Sequence, residues 1–117
     1  MTIKVVNLLN SPCLLASEKG VSLSEEIKIN LAKYNKVKVD FSGYKFISST
    51  FLNNAFGQLC IELSMSKDEF NENIIIIGLD EDDEDEIELT IENAQMKRKL
   101  IEKDIDFKEL SKTMIPA

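Results

Sequence analysis

The chain has 117 residues, an apolar fraction of 44% and a formal net charge of −7 at pH 7. This length fits one domain with one core, and this apolar content needs no disulfide scaffold. Contact with phosphate groups requires clustered lysine and arginine, so the acidic balance argues against a nucleic-acid partner and against an anionic membrane surface.

Histidine is absent, and the two cysteines share no CxxC spacing. The lack of histidine removes the commonest general base and metal ligand, so we expect no catalytic residue, metal or cofactor. Cys60 lies on an apolar helical stripe and is predicted to be a buried thiol, whereas Cys13 lies in a loop-like stretch. Unpaired cysteines, no signal-peptide pattern and no stretch of transmembrane length together favour a cytoplasmic location.

The first third of the chain predicts a strand, a connection and a helix. Residues 2–9 are predicted to form a strand, and residues 13–20 a connection. Ser22 and Glu25 match a capping box, which predicts a helix over residues 23–34. The strand residues expected in the core are Ile3, Val5 and Leu8.

The central stretch, residues 37–63, predicts a strand, a turn and a second helix. Apolar and polar residues alternate up to Phe41, which is typical of a strand, and Ser42-Gly43 is turn chemistry. Phe46 and Ile47 are then expected to return to the core. The helix that follows has a wide core-facing stripe: Phe51, Leu52, Ala55, Phe56, Leu59, Cys60 and Leu63.

Three hydroxyl residues, Ser48, Ser49 and Thr50, stand at the start of this second helix. A helix N-terminus has free N–H groups and the positive end of the dipole, which favour an anion or a phosphorylated side chain. Asn53 and Asn54 follow without any acidic residue. The alternative interpretation is an ordinary capped helix, since serine and threonine are common N-caps.

The next part of the chain predicts a loop, a strand and an acidic segment. Residues 67–73 are polar and are expected to form a loop. The four isoleucines at 74–77 predict a strand covered on both faces, as in parallel sheets. Residues 80–86 are seven consecutive acids, here called the acidic run. They lack EF-hand spacing, so we expect a solvated loop and helix start rather than a calcium or magnesium site.

The C-terminal part predicts a third helix and a tail. The helix is expected over residues 87–103, with Lys97, Arg98 and Lys99 complementing the dipole at its C-terminal end. The tail, residues 104–117, has apolar residues at helical spacing and is expected to form a short docking helix. Residues 1–103 are expected to be the domain itself.

The order of these elements alternates strand and helix three times, which predicts an α/β domain. We expect about four strands in one mixed, mostly parallel sheet with helices packed against it. The residues predicted to be buried in this arrangement are Phe41, Ile47, Phe56, Leu59, Ile75 and Ile77.

Two motifs, Asp40-Phe41-Ser42-Gly43 and Ile47-Ser48-Ser49-Thr50-Phe51, resemble STAS domains, the sulfate-transporter and anti-sigma-factor-antagonist modules. The chain looks like a small STAS-like family of unknown function, in which an aspartate–Phe–x–Gly turn precedes Ile-Ser-Ser-x-Phe. The element order fits over residues 1–103, and the recognisable motif covers about 37–59. The resemblance implies a STAS-like α/β fold.

In anti-sigma factor antagonists the matching helix start reads Asp-Ser-Ser/Thr-Gly, and its first Ser is phosphorylated by a partner kinase of the GHKL ATPase type. On this chain the acceptor falls on Ser49, followed by Thr50, and the Asp and Gly positions fall on Ser48 and Phe51. An acidic pair of the STAS-like family falls on Asn53 and Asn54. The resemblance implies a GHKL-type ATPase or anti-sigma-like protein as partner.

These observations favour a non-enzymatic regulatory module that binds another protein. The candidate binding residues are Ser48, Ser49, Thr50, Asn53 and Asn54. Ser49 is the candidate phosphorylation site and would act as the switch of a partner-switching system. An enzyme is a second hypothesis, with Ser49 as nucleophile or the acidic run as metal ligands, but no base for the serine is evident. A third is an acidic interaction or assembly protein, in a host–virus or defence setting, that binds a basic partner surface.

Overall fold

The computed structural model describes the backbone of residues 1–114 and the side chains of residues 1–101. Short parallel strands pack with helices, which confirms the predicted α/β class. The elements are β1 (Thr2–Lys4), α1 (Val5–Leu9), β2 (Cys13–Leu14), α2 (Ser17–Tyr34), β3 (Val37–Asp40), β4 (Phe46–Ile47), α3 (Ser49–Leu52), a π-helical turn (Asn53–Gly57), α4 (Gln58–Glu62), α5 (Lys67–Asn73), β5 (Ile74–Ile77) and α6 (Glu81–Met114). The α3, π-helical and α4 segments run on as one helix, here called the site helix (residues 49–62).

The strands form two sheets rather than the single sheet expected from the sequence. β1, β3 and β5 form one sheet in that order, and β2 pairs with β4 in a separate sheet. All of these pairings are parallel. The turn at Gly43, which has φ of +89°, directs the chain away from the first sheet after β3, so β4 pairs elsewhere.

The three-stranded sheet is covered on one face only, so the predicted burial of Ile75 and Ile77 is wrong. The register aligns Thr2, Lys38 and Ile75 in one row of side chains, and all three are exposed. Ile74 is buried and Ile76 half-buried on the other face. Successive side chains of a strand point to opposite faces, and the helices pack on the face that Ile74 shares with Ile3 and Val39.

The core is centred on three aromatic rings. Phe41 and Phe56 are fully buried, with ring centroids 6.1 Å apart, and Phe70 lies 5.7 Å from Phe56 in an edge-to-face arrangement. Leu59 is also fully buried, so the predictions for Phe41, Phe56 and Leu59 are confirmed. Ile47, predicted to be buried, is only half-buried at the margin of this core, and Leu63, expected on the core-facing stripe, is exposed.

The first strand is shorter than predicted. β1 ends at Lys4, and residues 5–9 form α1, which ends at Asn10 in the left-handed conformation. β1 aligns with β3 only as far as Lys4 opposite Asp40, where β3 itself ends, so the chain beyond Lys4 has no strand to pair with. Val5 is buried as predicted, but Leu8 is exposed.

The second helix begins earlier than its sequence pattern indicated. α2 starts at Ser17, and Ser22 lies inside it, where its hydroxyl donates to the Glu18 carbonyl rather than capping an end. Gly20 allows this extension because α2 crosses the site helix there: a Cβ at Gly20 would lie 2.6 Å from the Phe51 carbonyl oxygen. Gly20, predicted to end a connection, is instead a point of close contact between two helices.

Residues 67–73, expected to be a loop, form α5. The Ser66 hydroxyl accepts from the Glu69 N–H at 3.1 Å, and the Glu69 carboxylate accepts from the Ser66 N–H, which is a complete capping box. Phe70 supplies the single buried apolar anchor of this helix. The Ser-x-x-Glu pattern therefore marks a helix start here, where the surrounding sequence is too polar to indicate one.

The third helix is longer than predicted at both ends. α6 begins at Glu81 and continues to Met114, through the position where the sequence suggested a break. Arg98 consequently lies within the helix, where it donates to the Met65 carbonyl and to Gln95 at 2.8 Å each, so the interpretation of its triplet as a helix-end charge is wrong. Docking of residues 104–117 depends on side chains outside the described residues and stays a prediction.

Candidate functional site

The start of the site helix is built on Ser48, which is its N-cap. The Ser48 backbone is extended, and its hydroxyl oxygen accepts from the Phe51 N–H at 3.0 Å. The same hydroxyl donates to the Leu15 carbonyl at 2.9 Å, and the Ser48 N–H donates to the Leu14 carbonyl at 3.0 Å. Ser48 therefore joins the site helix to the end of β2.

The remaining predicted site residues occupy the first turns of the helix. Ser49, Thr50 and Asn53 are exposed, whereas Asn54 is half-buried and donates from its amide to the Thr50 carbonyl at 2.9 Å. Asn54 faces α2 across a groove of about 330 Å³ that Ser24 and Gln58 also line. The fold thus uses Ser48 and Asn54 structurally and leaves Ser49, Thr50 and Asn53 available at the surface.

Two exposed apolar residues that the sequence did not place at the site flank the helix start: Leu15, whose carbonyl accepts from the Ser48 hydroxyl, and Phe46, two residues before Ser48. Phe46 is 62% exposed, so the expectation that it returns to the core is wrong, and Leu15 is 51% exposed. β2 pairs with β4 so that Leu14 aligns with Ile47, and both face the core, which turns the alternate residues Leu15 and Phe46 outward with Ser48. The site surface, defined here as Leu15, Phe46, Ser49, Thr50 and Asn53, combines an exposed aromatic ring with uncharged polar groups.

The motif Asp40-Phe41-Ser42-Gly43 has a structural role next to this site. The Asp40 carboxylate accepts from the Ser42 N–H at 2.9 Å, and hydrogen bonds from Ser42 hold the pKa of Asp40 below its usual value. Phe41 fills the core, and Gly43 supplies the positive φ of the turn. This turn sets where β4, and therefore the site helix, begins.

The acidic run forms the start of α6 and is helical from Glu81 onward, where a loop before residue 87 was expected. The Asp80 carboxylate accepts from the Asp83 N–H at 2.9 Å, and this bond lowers the pKa of Asp80. Asp83 accepts a hydrogen bond from the Tyr44 hydroxyl; burial, together with this bond, raises the pKa of Tyr44 to about 12. Within residues 1–101, no three cysteine or carboxylate groups are arranged to hold a metal ion.

The thiol of Cys60 is buried, as predicted, and its burial raises its pKa to about 11. Cys13 is exposed on the outer side of β2, and the two cysteines are not bonded to each other.

No helix within residues 1–114 has both the length and the apolarity needed to span a bilayer.

The two serines of the helix start should differ in their effect on stability. Ser48→Ala removes the N-cap and the bond to Leu15, so we expect a loss of about 1–2 kcal/mol in the free energy of unfolding. Ser49→Ala removes an exposed hydroxyl and should change it by less than about 0.5 kcal/mol. Urea denaturation of both variants measures the difference, and equal losses would contradict the assignment of Ser48 as the cap.

Comparison with family models matches residues 19–84 to the STAS-like domain of unknown function (DUF4325). The matched region is more than half of the chain and includes the Asp40 turn and the whole site helix. Searches of the curated proteins and of the solved structures gave no match. The family match confirms the resemblance inferred from the two short motifs. The chain belongs to the family of STAS-like domains of unknown function (DUF4325).

Proposed function

We propose that this protein is a non-enzymatic regulatory module that binds another protein through the site surface. The observation that carries the proposal is the exposure of the Phe46 ring only three residues before the exposed Ser49 in the chain. Aromatic side chains, phenylalanine included, are enriched at the cores of protein interfaces relative to the rest of the surface. The partner class that the STAS-like resemblance suggests is a GHKL-type ATPase or an anti-sigma-like protein.

Ser49 is the residue through which such binding would be regulated. It is exposed in the first turn of the site helix, and the fold uses the neighbouring Ser48, not Ser49, as the cap. A phosphate on Ser49 would add nearly two negative charges at a helix start that tolerates an anion. The fold would therefore survive modification, while a partner seated on Phe46 would meet a new charge that must be desolvated.

Affinity capture from the protein's own cell, followed by binding measurements with the captured partner, tests this function. We expect Phe46→Ala and Ser49→Asp each to weaken binding by about tenfold or more, and Ser49→Ala to retain it. Ile29→Ala is the matched control, because Ile29 is an exposed apolar residue on α2 and is not one of the residues of the site surface. Equal affinity of all four variants and the wild type would contradict a site at this surface.

Phosphorylation is tested separately by mass spectrometry of the protein purified from its own cell. Phosphate on Ser49 supports the switch. If Ser49 carries no phosphate and the Ser49 variants bind equally well, the switch is contradicted, and the protein would be a binding module without this regulation.

The acidic run supports a second candidate, in which the protein binds a basic partner surface. Within this run Glu81, Asp82, Glu84, Asp85 and Glu86 are exposed at the start of α6. Binding of this kind weakens steeply with salt, because exposed charges are screened beyond about 10 Å at 0.1 M salt. The same binding assay separates the candidates: a complex lost at high salt but insensitive to Phe46→Ala favours the acidic surface.

A further inference from the structure

In the described part of the chain, one face of the three-stranded sheet has no helix packed on it. The helices cover the face that holds Ile3, Val39 and Ile74. The opposite face, here called the open face, consists of Thr2, Lys4, Lys36, Lys38, Ile75 and Ile77, with Asp40 at its end. All of these residues except Asp40 are exposed, and the exposed fractions of the two isoleucines are 45% and 38%.

The side chains of the open face lie close to one another. Lys36, Lys38 and Ile75 line a single groove of about 190 Å³. Hydrogen bonds from the adjoining turn, and then the charges of Lys4 and Lys38, lower the pKa of Asp40. The lysines and isoleucines therefore form one continuous surface.

The open face is basic, although the protein is acidic. It has three lysines against one carboxylate, whereas the whole chain has a net charge of −7. The ion pairs among residues 1–101 use Lys28 and Lys67, so they do not neutralise the lysines of the open face. Lysine on an edge strand prevents unwanted strand pairing, but Lys38 lies in the central strand β3, where that reason does not apply. The charge of the open face favours a ligand that carries carboxylates.

The shape of the open face fits one α-helix. All-parallel sheets occur almost only with helices covering both faces, and this sheet is parallel throughout. Neighbouring strands are about 4.8 Å apart, so β1 and β5 lie about 10 Å apart, and a helix with its side chains is about 10–12 Å wide. The isoleucines lie on β5 and the lysines on or beside β1 and β3. A helix along the strands would thus meet an apolar row on one side and a basic row on the other.

We propose that the open face binds an acidic amphipathic helix of another protein. Apolar side chains of that helix cover Ile75 and Ile77, and its glutamates or aspartates pair with Lys4, Lys36 and Lys38. Exposed charges are screened beyond about 10 Å at 0.1 M salt, so these lysines outweigh the acidic groups elsewhere on the protein. The open face shares no residue with the site surface, so the two proposals can fail independently.

Calorimetric titration of the whole protein with a synthetic peptide tests the proposal. The probe is a helical peptide of about 18 residues, with leucines on one face and glutamates on both flanks. It should bind the wild type, and Lys38→Glu should weaken binding by about tenfold or more. Lys99→Glu is the matched control, because Lys99 is an exposed lysine on α6, near the exposed Met96 and Leu100. This variant should bind the peptide like the wild type.

A second peptide and a second variant separate the two contributions to binding. The same peptide with glutamine in place of every glutamate should bind the wild type about tenfold more weakly or worse. Ile75→Thr keeps a β-branched residue in β5 and removes apolar surface, so it should weaken binding of the glutamate peptide by about threefold or more. Circular dichroism should show all variants folded.

Three results would each overturn the proposal: no binding of the glutamate peptide up to about 1 mM, equal binding of the glutamine peptide, or equal effects of Lys38→Glu and Lys99→Glu. Sedimentation equilibrium of the wild type tests the other occupant of this face. A dimer that Lys38→Glu dissociates would assign the open face to a second copy of this chain and would also overturn the proposal.

Discussion

Phe56→Ala is expected to lower the free energy of unfolding by about 3–5 kcal/mol, because it empties the centre of the core. Phe56 is fully buried and packs against both Phe41 and Phe70, so its removal leaves a cavity beside two rings that each lose an aromatic neighbour. A small domain has a total stability of about 5–15 kcal/mol, so a large part of it should be lost. Denaturation with urea, followed by circular dichroism, measures the change.

Phe46→Ala is the matched control for this prediction, since it deletes the same side chain from a position that is mostly exposed. Its effect should be below about 0.5 kcal/mol, as for other surface substitutions. A loss below about 1 kcal/mol for Phe56→Ala would show that this ring is not at the centre of the core.

Gly20→Ala is expected to destabilise the protein by about 1–3 kcal/mol, although alanine is the better helix former. The added Cβ would lie 2.6 Å from the Phe51 carbonyl oxygen and 2.9 Å from the Asn54 Cβ, both in the site helix. The Phe51 carbonyl belongs to the backbone and cannot rotate away as the end of a flexible side chain can. The two helices, α2 and the site helix, must therefore move apart to make room for the added methyl group. Thermal or urea denaturation should therefore show a loss where helix propensity alone predicts a gain.

Gly57→Ala is the control, because Gly57 is also buried in a helix but has room for a side chain. Its added Cβ would lie 3.5 Å from the Thr90 methyl group, an ordinary contact, and its backbone is right-handed helical. We expect a gain of about 0.5–1 kcal/mol from the reduced freedom of the unfolded chain. The same sign of change for both glycines would contradict the close helix crossing at Gly20.

For the site, the sequence indicated where the helix starts but not which hydroxyl residue caps it and which ones remain exposed. Serine, serine and threonine in succession are all suitable caps, and local pattern cannot say which one bonds to the backbone. The choice of Ser48 depends on Leu14 and Leu15, which are more than thirty residues away in the chain and hold Ser48 by two hydrogen bonds. The exposure of Phe46 has the same origin, since it follows from pairing with Cys13.

Local patterns were sufficient for several elements of this protein. Alternation of apolar and polar residues indicated the strand Val37–Asp40, and the wide apolar stripe indicated the site helix. The turn at Gly43 was indicated by turn residues. Each of these features depends only on neighbours in sequence. Tertiary structure decided what those patterns leave open. The short partner strand β3 ends β1 at Lys4, the helix crossing at Gly20 lengthens α2, and the packing of helices on one side of the sheet leaves Ile75 and Ile77 exposed. In each case the deciding contact joins segments far apart in the chain, and periodicity within a segment carries no information about it.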